Sequence, residues 1–143
     1  MQRLIWSRLA LISFLMLMTA SLLAQGSSAG KGTRNYDPKT EVRVKGTIES
    51  VQQQTGKTGW SGTHIILKTD AATVDVHVGP SSYIAKNQFT FAKGDTIEVV
   101  GSKVTITGQE TLLAREITKD GKTLVLRNPQ GIPEWSGGRR RSD

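Results

Sequence analysis

The chain has 143 residues, no cysteine and a formal net charge of +7. That length suits one domain. The missing cysteines exclude disulfides, thiolate metal sites, a Cys nucleophile and attached c-type haem, so the fold must rest on its own core.

The positive charge is unevenly spread. Setting aside Arg3 and Arg8 leaves 17 basic against 12 acidic residues. Between Thr40 and Asn128 the balance is 11 against 9. The excess sits in arms, at Lys31, Arg34 and Lys39 before the domain and Arg139 to Arg141 after it. A nucleic-acid binder normally carries its charge on the folded face, so this distribution argues against that class.

The opening "MQRLIWSRLALISFLMLMTASLLAQG" has the parts of an export signal. Arg3 and Arg8 form a positive start, Leu9 to Leu23 is apolar, and Ala24 is a small residue at the cleavage position. Cleavage after Ala24 gives a 1–24 signal peptide, with Ala29 as the fallback. An uncleaved anchor is the competing reading, but the apolar run falls short of the ~20 residues a spanning helix needs. The expected location is periplasmic or secreted. Residues 25–40, "QGSSAGKGTRNYDPKT", are Gly/Ser-rich and read as a flexible linker.

From residue 41 onward the hydrophobic period is two, as in half-buried strands. "VRVKGTIESV" puts Val42, Val44, Gly46 and Ile48 on one face; Gly46 within the strand suggests a bulge or sharp bend, which puts Val51 out of phase. "THIILKT" and "TVDVHV" turn Ile65, Leu67, Val74, Val76 and Val78 to a common side. A hairpin centred on Ala71-Ala72 would oppose Lys68 to Asp75 and set His64 diagonal to His77 on an outer polar face. "DTIEVVGSKVTIT" contributes Ile97, Val99, Val104 and Ile106, with a bend at Gly101. "TLLAREIT" and the short "KTLVLRN" follow turns at Gly108 and Asp120-Gly121.

Strands three and four are joined by "GPSSYIAKNQFTFAKG", too long for a tight hairpin. Its "SSYIAKNQF" suits a short helix, capped by Ser81 or Ser82, with Tyr83, Ile84, Phe89 and Phe91 plugging a barrel end. Five strands, a bent first strand and a helix between the third and fourth are the order of an all-β OB-like barrel. A β-sandwich is the competing architecture. The barrel domain is assigned to 41–135 and a disordered basic tail to 136–143.

Candidate ligand-binding residues fall in three places. The Gly-rich loop "QQQTGKTGWSGTH" carries Lys57 and Trp60, and OB-folds use this loop to clamp ligand. Trp60 can stack on a base or sugar, or fold back onto the barrel. The outer face offers His64, Lys68, Asp75 and His77. His64 and His77 are secondary metal candidates, the plainer reading being a solvated polar face. The third place is the segment from Arg127 to Trp135. No nucleophile–base spacing points to catalysis, and no cofactor is expected.

These residues also carry a family resemblance. "GP" at 79–80 followed by Tyr83, "KGDTIEVVGSKV", "AREIT" and "LVLRNPQGIPEW" resemble small exported bacterial OB-fold proteins. The chain is similar to the domain at the C-terminus of MamS/MamX-type magnetosome proteins, from about Val42 to Trp135. The resemblance implies an exported or membrane-tethered OB domain without catalytic residues. Haem-bearing relatives have Cys-x-x-Cys-His motifs; this chain has no Cys, so electron transfer does not carry over.

The expected function is a non-enzymatic binding module, monomeric or weakly self-associating, whose partner is an envelope protein or small ligand. The alternative is a sequence-tolerant oligonucleotide binder using Lys57, Trp60 and the basic arms. Membrane contact would come only through an uncleaved signal or the basic tail.

Overall fold

The computed structural model describes residues 35–57, 59 and 61–137. The expected signal, most of the linker, Trp60 and the Arg139–Arg141 run lie outside the described residues. No described helix is long and apolar enough to cross a membrane.

The elements in chain order are β1 (Glu41–Thr55), β2 (Ser61–Lys68), β3 (Thr73–Pro80), α1 (Ser81–Lys86), β4 (Thr96–Ile106), β5 (Gln109–Lys119) and β6 (Lys122–Val125). They form one sheet in the order β3-β2-β1-β4-β5-β6. A parallel pairing of Val76 with Leu112 and His77 with Leu113 joins β3 to β5. Five strands thereby close into a barrel of OB-fold order, with α1 between β3 and β4 and the short β6 added to β5. Closure of one sheet on itself rules out the sandwich.

Alternation of β-branched and polar residues sets the inside. Ile48, Ile65, Leu67, Val76, Ile97, Val99 and Ile117 are essentially inaccessible to solvent. Full burial of each side chain contributes about 1.5–3 kcal/mol. Ile84 is buried at one end, and Tyr83, Phe89 and Phe91 pack against the same core. The expected plug is therefore present. Pro80 rather than a serine occupies the helix N-cap, with no side-chain cap bond; Ser81 spends its hydroxyl on Gln53, Ser61 and Thr63 instead.

Long strands bend where their registers slip. β1 slips between Ile48 and Ser50, and the freed backbone holds the loop before β4: Gly94 N–H donates to Ile48 O, and Ile48 N–H donates to Asp95 O. β4 and β5 slip at Val100/Gly101. Beyond that slip Val104 leaves the main core and joins Tyr36 and Leu113 in a second cluster, with Ile106 against it. Grouping Val104 and Ile106 with the main core is thus corrected; the bend at Gly101 turns them away.

The expected linker also shortens. Tyr36 is buried, and Asp37 caps a 3-10 turn at Pro38–Thr40. The Tyr36 hydroxyl donates to Glu41 at 2.5 Å, and Arg115 grips both Glu41 oxygens at 2.8 and 2.9 Å. That bidentate fork holds the Glu41 carboxyl below the usual range. Two bonds per guanidinium fix orientation as well as charge, so the entering chain is tied to β5.

Gly46 explains how β1 can sit against the end of β2. A Cβ there would run into the Lys68 carbonyl, a backbone atom that cannot swing aside. Gly46→Ala should cost about 2 kcal/mol, read as a lower urea midpoint at unchanged slope. A second expectation concerns alkali. Burial, then the Glu41 hydrogen bond, pushes the Tyr36 phenol from 10.0 to about 12. A raised phenol stabilises the fold below the unfolded value and loses that contribution as pH rises through the folded one. Tyr36→Phe should therefore flatten the fall in stability between pH about 10 and about 12, measured by urea melts across that window.

Candidate functional site

The three candidate regions are brought together only in part. Lys57 is exposed in the loop before β2, while Lys68 is exposed at the far end of β2. They do not share a surface. Trp60 lies outside the described residues. His64, Asp75 and His77 do converge, and Arg127 meets Trp135 beside them at the β3–β5 seam.

The β2–β3 register differs from expectation by one step of the turn. Thr69 N–H and its hydroxyl both donate to Ala72 O, which centres the turn on Asp70-Ala71. Lys68 therefore opposes Thr73, Ile66 opposes Asp75, and His64 directly opposes His77. The predicted Lys68–Asp75 pair is not formed. The slip is an even number of residues, so every side chain keeps its predicted face.

That face is not the solvated surface expected. His64 is only 6% exposed. Its ring meets the His77 ring edge-on, with centroids 3.6 Å apart. Its Nδ1 lies 3.6 Å from Asp75 Oδ1, beyond hydrogen-bond range. Both atoms are buried and have no hydrogen-bond partner. Such orphaned polar atoms cost about 1–3 kcal/mol each. Burial lowers the His77 imidazole from 6.5 to about 4; His64 and Arg127 add to that and Asp75 opposes it. The ligating atoms of the three side chains lie within 4.8 Å of one another.

The register slips again between His64 and Thr63, where Thr63 faces Gly79. Val78 is thus the extra residue of a bulge in β3, a device that re-aims neighbouring side chains. Directly past the last paired residues of the seam, Arg127 reaches in. One guanidinium nitrogen donates to Val78 O at 3.4 Å and to Ala114 O. Its carbon lies 5.0 Å from the centre of the Trp135 ring, a cation–π distance. Burial pushes the Arg127 guanidinium down to about 10, still charged at neutral pH.

Trp135 in turn lies over Gly79, whose φ of +152° and lack of a Cβ make room for the indole; a Cβ would come within 2.7 Å of Cη2. Tyr83 flanks the indole at 5.5 Å. Main-chain bonds from Leu126 and Arg127 to Arg115 O, and from Glu134 to Leu126 O, hold the segment down. The Arg127–Trp135 segment is therefore docked, and Trp135 packs against the core.

One feature had no forecast. Gln53, Ser61, Thr63 and Ser81 are linked side chain to side chain at the base of the Lys57 loop. Gln53, Thr63 and Ser81 border a groove of about 200 Å3 whose other wall is Val51, Ile84, Phe89 and Phe91. The available signal was the alternation: Ser61 and Thr63 share parity with the inward Ile65 and Leu67, so they were polar residues due to point inward.

Arg127→Ala should lower stability by about 3 kcal/mol, because two carbonyls lose a charged donor and the indole loses its cation. Urea unfolding followed by tryptophan emission measures it.

The chain matches no curated protein. Among solved structures it is similar to the crystal structure of wild-type single-stranded DNA binding protein from Thermus aquaticus, at 15% identity and a TM-score of 0.48. The match covers 62% of this chain and 44% of that one. Residues 40–124 match the model of the MamS/MamX magnetosome protein family; the Gly131-x-Pro133-x-Trp135 element falls beyond them. With more than half its length matched, the chain belongs to the MamS/MamX magnetosome protein family.

Proposed function

We propose that this protein is an exported, non-enzymatic OB-fold module that holds an envelope protein or a small ligand at the barrel end bearing the Lys57 loop. The observation that carries the reading is the groove beside that loop, apolar along Phe89, Phe91 and Ile84 and polar along Gln53 and Ser81. Few placed polar groups on an apolar wall are what recognition of a specific group needs. At about 200 Å3 the groove is smaller than the roughly 300–1,000 Å3 of drug-sized sites. It suits a protruding side chain or a small headgroup.

Export rests on the N-terminal sequence pattern, and family membership agrees with it. Oligonucleotide binding is less favoured because the 40–128 span is nearly charge-balanced and backbone neutralisation supplies most of that affinity.

A photo-crosslinking residue at Thr90, exposed on the groove rim, tests the proposal in cells. A discrete protein or small-molecule adduct in the envelope fraction, absent when the probe is moved to Asp70 at the opposite end, is the expected result. Adducts to nucleic acid would turn the assignment to the oligonucleotide alternative. Equal labelling from both positions would remove the groove as the contact site.

A further inference from the structure

We propose that His64, Asp75 and His77 form a binding site for one divalent transition-metal ion of the zinc class. This goes beyond the binding role above and does not rest on it, since the groove and the cluster have no residue in common.

Geometry comes first. A tetrahedral zinc ion with ligands at about 2.0–2.1 Å sets ligand atoms roughly 3.3 Å apart. The His64 Nδ1–Asp75 Oδ1 separation of 3.6 Å is already close to that edge, and all three residues can offer an atom within 4.8 Å of the others. An ordinary imidazole–carboxylate hydrogen bond would instead close to about 2.8 Å. The gap is wrong for a direct bond and near right for a shared cation.

Hydrogen-bond accounting is the second, independent observation. His64 Nδ1 and Asp75 Oδ1 are buried without partners although they face each other. Buried polar groups in folded proteins nearly always find a partner, and each exception needs an explanation such as an ion. A cation between these two atoms satisfies both.

Placement is favourable too. His64 and His77 are directly opposed on neighbouring strands, and Asp75 lies two residues from His77 on the same face. A paired sheet holds such groups more rigidly than a loop. Two imidazoles and one carboxylate form a borderline donor set, suited to Zn(II), Co(II), Ni(II) or Cu(II) and poor for Mg(II) or Ca(II). Three protein ligands leave a fourth position open, as in exchangeable rather than closed structural zinc sites. Asp75 supplies the counter-charge, with its side chain 18% exposed. Arg127, the cation that acts on His77, is committed to the Val78 and Ala114 carbonyls.

The experiment uses the full chain, stripped with chelator and titrated with Co(II), followed by visible absorption and then by Zn(II) competition. One equivalent should bind with a tetrahedral Co(II) spectrum, displaced by Zn(II) and not by excess Mg(II). Zn(II) should also raise the thermal midpoint. Asp75→Asn and His77→Gln preserve shape at half-buried positions, and circular dichroism verifies their fold. Even outer-shell changes cost about 10–100-fold in metal affinity, so each of these should cost at least about 100-fold. Absence of saturable Co(II) uptake by the unaltered chain would overturn the site, as would unchanged affinity in both variants.

Discussion

The carbonyls of Val78 and Ala114 lie immediately beyond the two paired positions at which β3 and β5 meet, and the Arg127 guanidinium spans them. A side chain from the segment after β6 thus continues a seam that backbone pairing alone carries for only two residues. The bulge at Val78 and the slip in β5 near Arg115 meet at that point. Trp135 lies over the guanidinium, and Gly79 has no side chain to prevent it. Closure of the barrel thus joins a two-residue strand pairing to a side-chain bridge from the C-terminal segment.

The opposite flank has a matching device. Tyr36, Glu41 and Arg115 tie the entering chain to β5, while Arg115 O receives the N–H groups of Leu126 and Arg127. Arg115 therefore serves both ends, its guanidinium holding the segment before β1 and its carbonyl the segment after β6. Partly buried charges in such an arrangement specify geometry more than they add stability.

Period-two alternation made the core, the bent first strand and the helix-bearing connection legible in the sequence, because each arises from local chemistry: Val and Ile at alternate positions, Gly46 in mid-strand, Gly-Pro before a helix-compatible run. The parity of the outer face is legible in the sequence and its environment is not. Nothing local to His64 reports that it becomes buried; the side chains against it, His77 and Asp75, come from the neighbouring strand β3. The burial of Tyr36 is illegible for a related reason. One aromatic in a Gly/Ser-rich stretch gives no period, and its partners Val104 and Leu113 come from β4 and β5. The Lys68–Asp75 pairing failed on turn chemistry, since the Thr69 side chain, accepting from Ala71 and Ala72 N–H, shifts the turn by a residue.

The bridging of β3 and β5 by Arg127 also has a consequence in time. A chain made from its N-terminus upward has β1 to β3 available early, but the group that bridges β3 to β5 is among the last of the described residues to be synthesised. Until then the Val78 and Ala114 carbonyls lack their charged donor, and long-range pairings of this kind are slow to form in any case. A chain that stops short of Arg127 has all the strands of the barrel and not the side chain that bridges β3 to β5.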